Sequence, residues 1–161
     1  MCGIVAVTGY KKALPLLMNG LKKLEYRGYD SAGIAIINSE TKNISCNKAE
    51  GKLKNLINNL NGKNMSGTVG IGHTRWATHG KPEIKNAHPH TNSLGNIAVV
   101  QNGIIENFQD LKNKLQEEGV TFNSDTDTEV IPHLIQRELN TLNKLNLDKN
   151  GSTLLVAVRN V

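Results

Sequence analysis

A run of small and apolar residues begins directly behind Met1 and Cys2 and constrains this chain more than any other feature. Residues 3–8 read GIVAVT, with β-branched positions and no charge, and Gly9 follows them. Such a short apolar run next to a glycine predicts a buried strand. A fold that starts with a buried strand must build a sheet around its first residues, with Cys2 at the start of that strand.

Two interpretations of Cys2 follow from its position. Cysteine is often a small buried apolar residue, and an isolated one near a terminus is most simply explained in that way. Alternatively, removal of Met1 leaves Cys2 with a free α-amine on the carbon that carries its thiol side chain. An α-amine has a pKa of about 7.7–8.0, so part of it is neutral near pH 7 and acts as a base for the nucleophile beside it.

The remaining pattern alternates strands and helices. Leu14, Leu17, Leu21 and Leu24 are spaced by three, four and three residues, which predicts one helix face, with Pro15 in the first turn. Further elements are predicted by the same criteria. These are strands over 34–37, 44–47, 67–73 and 97–101, and helices over 52–60, over 106–118 before Gly119, from a cap at Asp125 or Asp127 to Leu139, and from Ser152 onward. The order predicts an α+β or a layered α/β fold.

Composition narrows the function classes. The 161 residues are 38% hydrophobic and 20% charged, which is typical of a globular domain, and the net charge of +5 comes from dispersed lysines. With 4% aromatic residues, the chain lacks a base-stacking platform, so we expect no nucleic-acid partner. Cys2 and Cys46 are the two cysteines, too few for a disulfide scaffold. We expect free thiols, no signal peptide, no membrane partner and a cytoplasmic location.

Three polar, glycine-rich stretches stand out: YRGYDSAG at 26–33, HTRWATHG at 73–80 and QNGIIEN at 101–107. With the Cys-Gly start, NAHPH and SDTDTEVIPHLI, they resemble the glutaminase domain of the class II, N-terminal-nucleophile glutamine amidotransferases. Within that group they are most similar to the glutamine–fructose-6-phosphate aminotransferases. The resemblance runs from Cys2 to about Leu139, and it implies a four-layer αββα sandwich with antiparallel sheets.

The resemblance implies roles in catalysis for four residues. Cys2 corresponds to the nucleophile that attacks the glutamine side-chain amide, while the Asn102 amide and the Gly103 N–H correspond to the oxyanion donors. Arg27 corresponds to a residue that supports the nucleophile. The sequence leaves simpler alternatives open, since Asn-Gly is also a common hairpin turn and Arg27 also suits a surface salt bridge.

Five residues are implied to bind the substrate. Arg75 corresponds to the clamp for the glutamine carboxylate and Asp127 to the partner of its ammonium group. Trp76, Thr78 and His79, with Gly80, belong to a loop that closes over glutamine in the family. Core packing is the alternative for Trp76, and helix capping is the alternative for Asp127. The five histidines include one H-x-H but no metal-ligand spacing, so we expect no metal and no cofactor.

Two departures from the family are visible. Gln101 stands where many relatives have His, and since Gln also donates and accepts hydrogen bonds, we expect tuning of the site rather than its loss. The chain is also short, so residues 2–161 are expected to form a partial glutaminase domain, incomplete at its C-terminus, without the sugar-phosphate isomerase domains.

The expected substrate is L-glutamine, and fructose 6-phosphate is a partner only through the missing isomerase domain. A second copy of the chain is a further candidate partner. Two other functions stay open: the glutaminase part of another class II enzyme such as amidophosphoribosyltransferase, and a catalytically silent fragment that binds glutamine or regulates a full-length enzyme.

Overall fold

The predicted N-terminal strand forms, but it is the edge strand of a four-stranded antiparallel sheet and is less buried than predicted, with Ile4 39% exposed. In the computed structural model, which describes residues 2–77, 81–145 and 153–161, the sheet order is β1-β4-β2-β3. The strands are β1 (Gly3–Val7), β2 (Ser31–Ile37), β3 (Ile44–Glu50) and β4 (Val69–Arg75). Gly3 lies opposite Thr74 and Ser31 lies opposite Arg75. The start of β1, the start of β2 and the end of β4 therefore lie next to one another at the same end of the strands, which we call the cleft edge of the sheet.

Two helices cover one face of this sheet. They are α1 (Ala13–Leu24), which carries the predicted leucine face and Pro15 in its first turn, and α2 (Leu53–Leu60). Leu17, Leu21, Ile34 and Leu56 are completely buried between the helices and the sheet. Each such side chain stabilises the fold by about 1.5–3 kcal/mol relative to an exposed position.

A second sheet and three helices lie on the opposite face. The sheet pairs β5 (His90–Thr91) with β6 (Ala98–Val99), and the helices are α3 (Phe108–Glu117), α4 (Val130–Lys144) and α5 (Thr153–Asn160). Val99 packs on a cluster formed by α4 and α5. The two layers meet closely where β2 of the first sheet packs against the main chain at His88. Glycine is needed at position 33, because a Cβ there would collide with the His88 carbonyl. The order of layers is helix, sheet, sheet, helix, which confirms the α+β class with antiparallel sheets.

The second layer covers the first sheet unevenly. At the cleft edge, Ser31 and Arg75 are 0% and 4% exposed, whereas at the other end of the same strands Ile37 and Val69 are 41% and 40% exposed. The polar residues at this end of β2 and β4 are therefore better protected than the apolar residues at the other end. None of the helices in the described ranges is both long and apolar enough to cross a bilayer.

Some element boundaries were predicted wrongly. The strand expected over 97–101 is only Ala98–Val99, and its partner β5 was not expected. The predicted cap of α4 is wrong, since this helix begins at Val130 without a side-chain cap. The two candidate caps are engaged elsewhere: Asp125 contacts Lys85, and Asp127 accepts the N–H of Ile105. Gly119 ends α3 as predicted, with a φ of +87° that suits glycine.

Candidate active site

A cleft of about 400 Å³ opens at the cleft edge of the sheet, where β1 starts and β4 ends. Seven of the nine predicted site residues line it; Thr78 and His79, like Gly80, lie outside the described residues. The predicted lining residues are Cys2, Arg27, Arg75, Trp76, Asn102, Gly103 and Asp127. His88, Gln101, Ile104, Thr126 and Thr128 complete the lining. Residues that are 100 or more positions apart in sequence thus face one space.

Cys2 is held by the chain that follows β4. The backbone N–H of Trp76 donates to the Cys2 Sγ at 3.2 Å, and the thiol lies 3.5 Å from the Trp76 carbonyl oxygen. The pairing of Gly3 with Thr74 produces this arrangement, because it carries Cys2 alongside the residues that leave the strand. An N–H aimed at the sulfur stabilises negative charge there, as a nucleophilic thiolate requires.

The Asn102 carboxamide has a fixed orientation. Its Nδ2 donates to the Cys2 carbonyl oxygen at 3.2 Å, and its Oδ1 lies 2.8 Å from Nε2 of His73. A carboxamide oxygen only accepts hydrogen bonds, so Nε2 of His73 carries the proton. The amide NH₂ therefore points toward Cys2. Asn102 and Gly103 do not form a hairpin turn, because the element after β6 is α3.

Three buried histidines lie behind Asn102. The rings of His73 and His88 stack with centroids 4.2 Å apart, and His90 meets His88 edge-on at 4.6 Å. Burial lowers the pKa of His73 to about 4 and that of His90 to about 3. Burial also lowers the pKa of His88. All three are neutral at pH 7. Within the described ranges, no three His, Cys, Asp or Glu side chains converge as metal ligands would.

Two opposite charges, Arg75 and Asp127, line the same cleft. Arg75 is 4% exposed at the end of β4, and one of its guanidinium nitrogens donates to the Lys81 carbonyl at 3.3 Å. Burial lowers the pKa of Arg75, and the acidic groups of Cys2, Asp30 and Asp127 oppose that effect. Asp127 is 6% exposed. A buried cation and a buried carboxylate in one cleft match the two charges of an α-amino acid.

Trp76 and Arg27 occupy the mouth of the cleft. Trp76 is 44% exposed and packs edge-on against Tyr29, with ring centroids 5.3 Å apart, so core packing is not its role. Arg27 ends a 3₁₀ turn, Glu25–Arg27, and is half-buried at the cleft wall.

A family model described as a glutamine amidotransferase domain matches residues 36–146. The chain belongs to this family. The amidotransferase domain is 62% identical to a glutamine–fructose-6-phosphate aminotransferase (isomerizing) of Gloeobacter violaceus over 136 residues, which is 84% of this chain and 22% of the relative. The same enzyme of Clostridium tetani is 58% identical over 135 residues, with the same coverage. The chain spans about a fifth of the length of these relatives.

Solved structures of related enzymes share the fold of the amidotransferase domain. The glutamine phosphoribosylpyrophosphate amidotransferase of B. subtilis, in complex with ADP and GMP, superposes with a TM-score of 0.73 at 27% identity. A structure described as the allosteric regulatory enzyme of purine biosynthesis superposes with a TM-score of 0.76 at 28% identity. In both cases 99% of this chain and 32% of the other chain are covered.

Several residues around the cleft of the amidotransferase domain had not been singled out in the sequence. Asp30 accepts the N–H of Ala77 at 2.7 Å and so holds the segment behind Trp76, and His73 holds Asn102. Both lie within quoted motifs, but their partners are 47 and 29 residues away, and no local pattern reveals such pairs. Gln101, noted as a departure, accepts a hydrogen bond from Thr128 at 2.8 Å, beside Asp127.

Proposed function

We propose that the domain hydrolyses the side-chain amide of L-glutamine with Cys2 as the nucleophile. One observation carries the proposal: a single cleft is lined by a thiol, an oriented carboxamide beside it, a guanidinium and a carboxylate. These are the groups needed to attack an amide, to stabilise its oxyanion and to bind an α-amino acid. Family membership supports glutamine as that amino acid.

The reaction consists of two acyl-transfer steps. The thiolate of Cys2 adds to the amide carbon, and the resulting oxyanion accepts hydrogen bonds from the Asn102 Nδ2 and the Gly103 N–H. The C–N bond then breaks, the nitrogen gains a proton and leaves as ammonia, and a γ-glutamyl thioester remains. Water adds to the thioester carbonyl, the C–S bond breaks, and glutamate leaves as the thiol is restored.

The α-amine of Cys2 serves as the base in this scheme. Once Met1 is removed, this amine takes the thiol proton, directly or through a water molecule, and later returns a proton to the leaving nitrogen. The ordinary α-amine pKa of about 7.7–8.0 suits both roles near neutral pH. Arg75 binds the glutamine carboxylate and Asp127 its ammonium group, while Arg27 supports the wall beside Cys2.

We further propose that the ammonia is used to aminate fructose 6-phosphate in a larger protein, of which residues 2–161 are part of the glutaminase domain. The support is the 56–62% identity to eight enzymes named for that reaction, compared with 27–28% to the two superposed structures, one of them named for phosphoribosylpyrophosphate. The phosphoribosylpyrophosphate reaction is the second candidate.

The proposal is tested with a glutamine-shaped electrophile, 6-diazo-5-oxonorleucine, and with an ammonia-release assay. We expect one adduct per chain, on the N-terminal peptide that begins with Cys2, with protection by excess glutamine. Ammonia release should be abolished by Cys2→Ala and retained in Cys46→Ala, which removes the other free thiol. Labelling of Cys46 instead, or glutamine binding without turnover, would contradict a Cys2-dependent hydrolase and favour the silent fragment.

A further inference from the structure

A buried asparagine outside the predicted set connects the two chain segments that contact or carry the charged residues of the cleft. Asn86 is the last residue of a short 3₁₀ turn, Ile84–Asn86, and is completely buried. Its Nδ2 donates to the carbonyl oxygen of Lys81 at 3.0 Å and to Oδ2 of Asp125 at 3.3 Å, while its Oδ1 accepts the backbone N–H of Asp125 at 2.9 Å. Both amide protons and the oxygen are therefore used.

Each of these partners leads to one charged residue of the cleft. The Lys81 carbonyl that accepts from Asn86 also accepts from the Arg75 guanidinium at 3.3 Å. Asp125 is two positions before Asp127, whose Oδ2 is fixed by the Ile105 N–H at 2.8 Å. One carboxamide thus links the segment that orients the cation to the segment that carries the carboxylate.

The chemistry of the link requires an amide at position 86. Aspartate at this position offers no donor and places its charge against the Lys81 carbonyl and the Asp125 carboxylate. Alanine removes the acceptor of the Asp125 N–H and one donor to the Lys81 carbonyl, which then keeps only Arg75 and the Glu83 N–H as donors among the described contacts. Lys85, the neighbouring residue, also contacts Asp125, at 2.8 Å, but it is exposed and makes no contact with Lys81 among the described interactions.

We propose that Asn86 is a positioning residue that sets the separation between Arg75 and Asp127 and thereby the recognition of the α-amino acid group of glutamine. This inference rests on the proposed function. The α-amino acid group is remote from the amide that reacts, so loosening its clamp weakens binding of glutamine more than it changes chemistry at Cys2.

The test compares Asn86→Ala and Asn86→Ser with Lys85→Ala as the matched control. For the Asn86 variants, the KM for glutamine in the ammonia-release assay should rise about tenfold, with kcat within about twofold of wild type. Lys85→Ala removes only the exposed ion pairs with Asp125 and Glu83 and should leave both constants unchanged. A fall in kcat with an unchanged KM, or equal effects of the Lys85 and Asn86 variants, would overturn the proposal.

Alkylation of Cys2 by two reagents provides a second measurement. It distinguishes a positioning role of Asn86 from a general structural role, which would change both alkylation rates equally. Iodoacetamide does not use the α-amino acid clamp, whereas 6-diazo-5-oxonorleucine does. With the N-terminal peptide read by mass spectrometry, Asn86→Ala should slow modification by the glutamine analogue about tenfold and leave the iodoacetamide rate unchanged. Equal slowing of both would indicate distortion of the whole site and overturn the proposal. If wild-type Cys2 itself shows no preference for the analogue, the proposed function fails first.

Discussion

Adding one methyl group at Gly28 should disturb the contact between Trp76 and Cys2. Gly28 has a φ of −168°, an extended conformation that alanine also adopts, so the substitution carries no backbone penalty. Its Cβ, however, would lie 2.8 Å from the carbonyl carbon of Arg75, 3.0 Å from the Arg75 oxygen and 3.0 Å from the Trp76 nitrogen. Ordinary contact begins at 3.4 Å, so the peptide between residues 75 and 76 must move by up to about 0.6 Å.

That displacement acts on the group that touches the nucleophile. The nitrogen next to the added methyl is the one whose N–H donates to Cys2 Sγ at 3.2 Å. Since a 1 Å misplacement costs about 100-fold in rate, a shift of about half that size should lower kcat/KM for glutamine hydrolysis by about tenfold. The crowding should also destabilise the fold by about 1–3 kcal/mol.

Gly72→Ala is the matched control because it adds the same methyl within β4, the strand that Gly28 packs against, but away from the cleft. There the Cβ meets only side-chain methyl groups, the Cδ1 of Leu21 at 3.0 Å and the Cγ2 of Ile34 at 3.2 Å. We expect reduced stability with an unchanged kcat/KM. Rates are normalised to the sites titrated to completion with 6-diazo-5-oxonorleucine, and stability is measured by urea unfolding. If folded Gly28→Ala matched wild type in kcat/KM, the importance of the Trp76 contact would be refuted.

Two further predictions concern the groups behind Cys2. Asn102→Ala should lower kcat by about 10²–10³-fold with little change in KM, because it removes an oxyanion donor. If kcat in the ammonia-release assay fell by less than about threefold, Asn102 would not be an oxyanion donor. The second prediction is acid sensitivity: below pH 6.5 the unfolded chain protonates His73 and His90, while the native pKa values of about 4 and 3 keep them neutral. The unfolding free energy should therefore fall as pH drops from 6.5 toward 5, by up to about 1.4 kcal/mol per pH unit for each histidine. Urea unfolding at several pH values in this range should show that the unfolding free energy of His73→Gln depends less steeply on pH than that of the wild type. An equally steep pH dependence would contradict the assignment.

The regular elements were predictable because their own residues determine them. The leucines of α1 repeat at helical spacing and occupy the buried face. The apolar run at 3–8 forms β1 with bounds that differ from the predicted ones by one residue. The two-residue strands β5 and β6 are different, because no periodicity can be read from so few residues. The prediction that Asp125 or Asp127 caps α4 was wrong for a related reason. Their preferred partners, Lys85 and Ile105, are about 40 and 22 residues away, and long-range contacts outweighed the local capping tendency.

The clustering of the motifs follows from strand polarity rather than from any motif alone. Cys2 precedes β1, the YRGYD stretch precedes β2, and Arg75 and Trp76 follow or end β4. Two strand starts and one strand end meet at the cleft edge only if β4 runs antiparallel to both β1 and β2, and the registers of Gly3 with Thr74 and Ser31 with Arg75 have this geometry. Antiparallel sheets were implied by the family resemblance, but the order β1-β4-β2, which makes these three strands neighbours, was not predicted. The resemblance assigned Asn102 to the same site, but no local pattern did, because its position depends on the loop after β6 and on a hydrogen bond to buried His73.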